Sequence, residues 1–286
     1  MNPTVTVIVP TYNQGKFIDK CLDSILCQSY RNFEVIVING SSTDKTEYIA
    51  KRYQTISNVH FTYVLTKYNN MAEKLNIGCS MAMGRFITYV ASDDYWHKDF
   101  LKECVNAMYE QEADLVYTSS HQVRLEPGAK SGYDHISDLL KFQEWGGYHK
   151  LIHGNVVGCF FMFRKNMFAM LNGFASNIPY ADWDFALKGC EEGFKFHYIP
   201  KRLATYQIHK ASDSTRIDVV DKGQKRLKAM WKEVIFRLES KGKELPEYLK
   251  NMKLEIFQSG MQPKREDWHV LTKEEVQRKV AMKGAK

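Results

Sequence analysis

Within the first ninety residues, short apolar runs rich in β-branched side chains alternate with segments of helical spacing. Few architectures accept that alternation. The runs are "VTVIVP" at 5 to 10, "FEVIVIN" at 33 to 39, "HFTYVL" at 60 to 65 and "RFITYVA" at 85 to 91. Between them, "GKFIDKCLDSILCQSY" puts Phe17, Ile18, Cys21, Leu22, Ile25 and Leu26 on one helical face. "SSTDKTEYIAKRY" opens a second helix, with Ser42 or Thr43 as its expected cap and Asp44 and Glu47 favouring its first turn. Residues 71 to 83 form the third helix. Strands joined by such short crossovers run parallel, and strands that are apolar throughout are buried on both sides. The spacing predicts an α/β sheet flanked on both faces by helices.

Ligands of such sheets bind beyond the carboxyl ends of the strands. Three segments lie there: Pro10 to Asn13, Asn39 to Asp44, and Ser92 to Asp94. The last belongs to "YVASDDYW", which places two carboxylates side by side where a buried strand should end. Adjacent like charges drawn out of water need a positive partner. No G-x-G-x-x-G follows the first strand and no G-x-x-x-x-G-K-[ST] occurs anywhere, which weighs against dinucleotide and P-loop enzymes. A nucleotide diphosphate at this edge needs another positive charge, and carboxylate oxygens suit Mg²⁺ or Mn²⁺.

The second half is less regular. "LVYTSSHQVRL" at 115 to 125 reads as a strand, "EWGGYHKLIHGN" at 144 to 155 as a loop, and "VVGCFFMFRKNMFAMLNGF" as a strand and a short helix ending near Gly173. "YADWDFALKGCEEGFKFHYI" begins a helix with carboxylates and returns to strand. The six cysteines include no C-x-x-C pair, so buried free thiols are expected rather than zinc or disulfides.

At 286 residues and 44% hydrophobic, the chain can bury a sizeable core. It has no run of ~20 apolar residues, and "MNPTVTVIVP" does not resemble a signal peptide, so the expected location is cytoplasmic. Its net charge of +7 is uneven: residues 216 to 286 hold 18 of the 40 Lys and Arg but 11 of the 33 Asp and Glu. Residues 219 to 240 read as a basic amphipathic helix. Three roles suit this tail: a solvated extension docked on the domain, a dimerisation element, or a peripheral contact with the inner face of the membrane through Trp231, Ile235 and Phe236. The basic residues are interrupted by Glu and match no nucleic-acid reading module, so nucleic acid is not an expected partner.

Four segments in order, "VTVIVPTYNQGKFIDKCLDSILCQSYRNFEVIVINGSSTDKT", "LNIGCSMAMGRFITYVASDDYW", "GFASNIPYADWDFALKG" and "YQIHKASDS", make the chain resemble a family 2 glycosyltransferase of the GT-A fold over roughly residues 4 to 215. The resemblance implies a GT-A domain over residues 1 to 215, with a mixed, mainly parallel sheet flanked by helices, followed by a helical C-terminal extension over 216 to 286. It implies that Asp94 ligates a metal bridging the diphosphate of a nucleotide-sugar donor, while Asp93 contacts the ribose or shares the ion. His209 completes the metal or diphosphate site. Thr11, Tyr12, Asn39 and Ser42 fall in the donor-binding set. Asp182 matches the catalytic base, with Asp184 as fallback base or acceptor-orienting group, and Trp183 between them either stacks on a sugar or belongs to the core.

The implied reaction is inverting transfer from a nucleoside-diphosphate sugar, with UDP as the leading base, to a hydroxyl of a saccharide or lipid-linked saccharide in cell-surface polysaccharide synthesis. Two departures bear on the donor. Asn39 stands where the family usually has the Asp that reads the base, and Gln207 stands where Arg often precedes the late histidine. Both fit the competing reading of a non-catalytic sugar-nucleotide-binding or scaffold protein, which the joint presence of Asp93, Asp94, Asp182 and His209 opposes. A nucleotidyltransferase also uses paired carboxylates with metal, but leaves "YADWDF" without a role.

Overall fold

A computed structural model describes residues 2–125, 148, 151–152, 155–178, 180–209, 218–247, 249–251 and 253. The four runs become β1 (Val5–Thr11), β2 (Phe33–Asn39), β3 (His60–Leu65) and β4 (Phe86–Tyr89). Between them lie α1 (Ile18–Leu26), α2 (Thr46–Ile56) and α3 (Met71–Met81). β1 and β2 are buried at every position, as two-sided burial requires. β1 pairs in parallel with β2 and with β4, and β2 with β3.

Beyond β4 come β5 (Tyr95–Trp96), α4 (Phe100–Glu110), β6 (Leu115–Arg124), β7 (Phe161–Arg164), α5 (Lys165–Met170), α6 (Ala181–Glu191) and β8 (Phe196–Ile208). One eight-stranded sheet results, in the order β3-β2-β1-β4-β7-β6-β8-β5. β7 is antiparallel to both β4 and β6, β8 is parallel to β6, and β5 is antiparallel to β8. Four of the seven pairings are therefore parallel. The sheet changes character at the β4/β7 junction, where the chain emerges into "ASDDYW".

Local contacts explain the helices. α1 buries Ile18, Cys21, Leu22 and Ile25, the i, i+3, i+4, i+7 face read from the sequence. α3 starts at Asn70, whose side chain accepts from Ala72 N at 2.8 Å and donates to Ser176 O at 2.9 Å. Gly78 lets α3 approach the sheet, since a Cβ there would stand 2.6 Å from Ile8 Cγ2. The expected cap of α2 is corrected. The helix begins at Thr46, Lys45 occupies the cap position without a side-chain bond, and Ser42 and Thr43 are committed to Asn39 and Asn13 instead. All six cysteines are free, but Cys27 is exposed while Cys21, Cys79 and Cys104 are buried.

The expected loop at 144 to 155 lies mostly outside the described residues; Tyr148, Leu151 and Ile152 are helical. The chain divides into two compact units, Met1–Asp221 and Lys222–Lys286. α7 (Asp218–Ser240) runs across that boundary. Trp231 and Ile235 are buried, while Phe236 is 57% exposed, so these three side chains do not form one exposed apolar face. Among the described residues, no helix is long and apolar enough to cross a membrane.

Candidate active site

The loops after β1 and β2 are laced together by side chains. Asn13 N donates to Ser42 Oγ at 2.9 Å, and Thr43 N donates to Asn13 Oδ1 at 2.8 Å. Gln14 N donates to Thr46 Oγ1 and Gly15 N to Asp44 Oδ2, both at 2.8 Å. Burial alone would raise the Asp44 carboxyl, but the hydroxyl and N–H of Thr46 and the N–H of Gly15 outweigh it and hold it below its ordinary range.

Thr11 and Asn39 end their strands side by side. Both are buried. Thr11 Oγ1 accepts from Ser92 Oγ at 2.8 Å. Asn39 Oδ1 takes both the N–H and the hydroxyl of Ser42, at 3.0 and 2.6 Å, and its amide nitrogen donates to the Tyr63 hydroxyl at 2.8 Å. Asn39 thus holds the Ser42 turn, and of the four donor-site candidates only Tyr12 and Ser42 reach the surface.

Asp93 and Asp94 follow β4 and have different surroundings. Asp94 is 1% exposed, and its Oδ1 accepts from Gln207 N at 2.8 Å. Its Oδ2 is buried without a hydrogen-bond partner. Burial pushes this carboxyl well above its ordinary range and the Asp93 charge adds to the rise, against the Gln207 N–H. Asp93 Oδ2 lies 3.0 Å from His209 Nε2, and the His209 ring stacks on Phe17 with centroids 4.4 Å apart. Gln207, where the family has Arg, donates its side-chain amide to the Asp93 carbonyl. Among the described residues, no group of three His, Cys, Asp or Glu is arranged to hold a metal ion. The expected set Asp93, Asp94 and His209 is therefore no ready-made cage. The orphaned Asp94 oxygen and the carboxylate and imidazole donors nevertheless suit a hard or borderline cation.

Asp182 and Asp184 open α6 and point to different fates. Asp184 is fully buried, 3.1 Å from Lys188 Nζ one turn on. Asp182 is partly buried and accepts from Asn155 Nδ2 at 3.2 Å; Asn155 Oδ1 in turn accepts from Gly158 N at 3.1 Å. Burial raises the Asp182 carboxyl, against the N–H of Trp183, the Asn155 amide and its own N–H. Trp183 is 9% exposed and donates its indole N–H to Leu151 O at 2.8 Å, which makes it a core residue rather than a sugar platform.

Burial pushes the Cys159 thiol well up, and the charges of Asp94, Asp182 and Asp93 push it the same way, so both carboxylate groups act on this one thiol. Asn155 and Phe17 carry no reactive signature, and only the folded contacts reveal them; Gln207 stands out in the sequence, but its bond to Asp93 does not.

Comparison with known proteins agrees with this arrangement. The model for glycosyl transferase family 2 matches residues 6–169, more than half of the chain. Chondroitin synthase of Pasteurella multocida is 30% identical over 227 residues, covering 78% of this chain and 22% of that protein. The Staphylococcus aureus TarS 1-349 fragment in complex with UDP-GlcNAc gives a TM-score of 0.68 at 20% identity, over 89% of this chain and 71% of that one. The mannosyltransferase PcManGT from Pyrobaculum calidifontis, in complex with GDP-Man and Mn²⁺, gives 0.67 at 21% identity, over 90% and 70%. Likeness at these identities concerns the fold, which is GT-A. The chain spans 16% to 60% of the lengths of curated relatives it matches. With the family model, the mixed sheet and the carboxylates at its β4/β7 junction in agreement, the chain belongs to glycosyl transferase family 2.

Proposed function

We propose that the protein is an inverting, metal-dependent glycosyltransferase, moving a sugar from a UDP-sugar to a hydroxyl of a saccharide or lipid-linked saccharide in cell-surface polysaccharide synthesis. The observation that carries this reading is the buried Asp94 carboxylate with its unpartnered Oδ2, set in the same cluster as the raised Asp182. A scaffold protein has no use for so costly an arrangement, which stabilises neither carboxylate.

Tyr12 and Ser42 line the base and ribose side, held by Thr11, Asn39 and Asn13. Asp93 and Asp94 face the diphosphate. What a divalent cation supplies there, when held by these two carboxylates, is positive charge against the leaving diphosphate; His209 keeps Asp93 in place. Asp182 takes the proton of the acceptor hydroxyl as that oxygen bonds to the anomeric carbon and the bond to the diphosphate oxygen breaks. Attack from the face opposite the leaving group turns an α-linked donor into a β-linked product. Asp184 serves the α6 core as the counter-charge of Lys188.

A thermal-shift panel of UDP, GDP, dTDP and CDP, each with Mn²⁺ or with EDTA, tests the reading. UDP with Mn²⁺ should stabilise the fold by about 2.7 kcal/mol at a hundred times its dissociation constant. EDTA, or Asp94→Asn, should remove most of that shift. If no nucleotide shifts the wild type with metal present, the donor site is wrong.

A further inference from the structure

We infer that Tyr180 forms the acceptor-side platform of this site, an exposed aromatic face on which the pyranose ring of the acceptor lies. This rests on the reading of Asp182 as the acceptor's base. Tyr180 occupies the cap position of α6, two residues before Asp182, with φ 60 and ψ 51. Among the described residues, five other than glycine have positive φ, and Tyr180 is the one aromatic. The left-handed region suits Gly, Asn and Asp, whereas a bulky side chain there is strained. A helix cap also favours side chains that accept from the first turn, and the Tyr180 side chain makes no such bond. Tyrosine therefore breaks two local preferences at one residue. Such violations gather where function fixes the side chain.

Among the described residues, the Tyr180 side chain has one ring neighbour. Tyr180 is 38% exposed, and its ring meets Trp183 edge-on with centroids 6.3 Å apart, near the outer limit for paired rings. Its carbonyl, by contrast, accepts from Asp184 N at 3.0 Å, a bond that any residue could make. Trp183 itself is turned inward to Leu151 O, so its indole is not open to a sugar. An apolar face with a polar rim, two residues before the proposed base in the chain, fits the C–H face of a sugar ring.

The test compares wild type, Tyr180→Asn and Tyr180→Phe. Saturation-transfer NMR is run with the methyl β-glycosides of glucose, galactose, N-acetylglucosamine and glucuronic acid, and melting curves are taken with and without UDP and Mn²⁺. Wild type should give a signal on the C–H face of at least one glycoside. Tyr180→Asn should weaken that glycoside by about fivefold, the loss of one aromatic contact, and Tyr180→Phe should retain it. Because Asn accepts the left-handed conformation, Tyr180→Asn should also melt about 2 °C higher.

Glycoside signals that ignore the substitution, a wild type that shows none, or a lower melting point for Tyr180→Asn would each overturn the inference. A wild type that gives Tyr180-dependent glycoside signals but no nucleotide shift would instead sink the donor reading and leave the platform standing.

Discussion

As the proposed base, Asp182 has to shed its proton, yet its surroundings resist its charge. Burial raises its carboxyl and Asn155 restrains the rise, so the acidic limb of the rate against pH should lie above the ordinary carboxylate range. Asp182→Asn should lower turnover by ~10²–10⁴ while leaving the UDP-dependent melting shift in place; unchanged turnover would remove Asp182 from the mechanism. Stability should move the other way. A carboxyl raised in the folded state contributes most below its unfolded value, and that contribution is lost as pH rises through the folded one. Asp182→Asn should therefore melt above wild type at pH 8, with the gap closing by pH 4. Asp93 and Asp94 stand out as candidates in the sequence because an ionisable pair at a strand end is marked by residue type, and Asp182 because the family resemblance singles it out. Their contacts do not: Asn155 reaches Asp182 across 27 positions and Gln207 reaches Asp94 across 113, and no local pattern encodes such contacts. Asn39 shows the same limit. Its identity suggested a changed base reader, whereas its contacts make it the anchor of the Ser42 turn.

The helices depend on how closely they approach the sheet, and Gly78 sets that approach for α3. Gly78→Ala gains ~1 kcal/mol of helix propensity. Its methyl would meet the branched Ile8 side chain, which is fully buried in β1 and flanked by β2 and β4, so relief requires moving the helix. Overpacking of this kind costs ~1–3 kcal/mol, and the net expectation is a loss of up to ~2 kcal/mol. A lower urea midpoint at constant slope checks it; a midpoint at or above wild type would show that α3 shifts freely. The strands of the first ninety residues were legible because burial on both faces leaves continuous apolar runs. Helix starts were less so. Ser42 and Thr43 have the right chemistry to cap α2, but Asn39 and Asn13 compete for the same atoms, and the helix starts later, at Thr46.

At the scale of the whole molecule, the parallel strands β3-β2-β1-β4 carry the proposed donor loops, while β7 reverses direction and leads through α5 to the proposed base on α6. The β4/β7 junction is therefore where donor and acceptor chemistry can meet without either half of the sheet changing its pairing. Charge is divided along a different line. Residues 1 to 215 hold 22 basic and 22 acidic side chains, so the net charge of +7 resides in residues 216 to 286. A membrane contact made by α7 through Trp231, Ile235 and Phe236 would rest mainly on charge, since the first two are buried and only Phe236 is exposed. Charge alone is screened within ~10 Å at 0.1 M salt and ~3 Å at 1 M. Sedimentation with vesicles should then show binding to anionic lipid at low salt, none to zwitterionic lipid, and release in 1 M NaCl. Binding that survives 1 M NaCl would mean that apolar side chains insert. Absence of binding to anionic vesicles at low salt would argue against a membrane contact through this tail and favour a soluble acceptor as the simpler substrate.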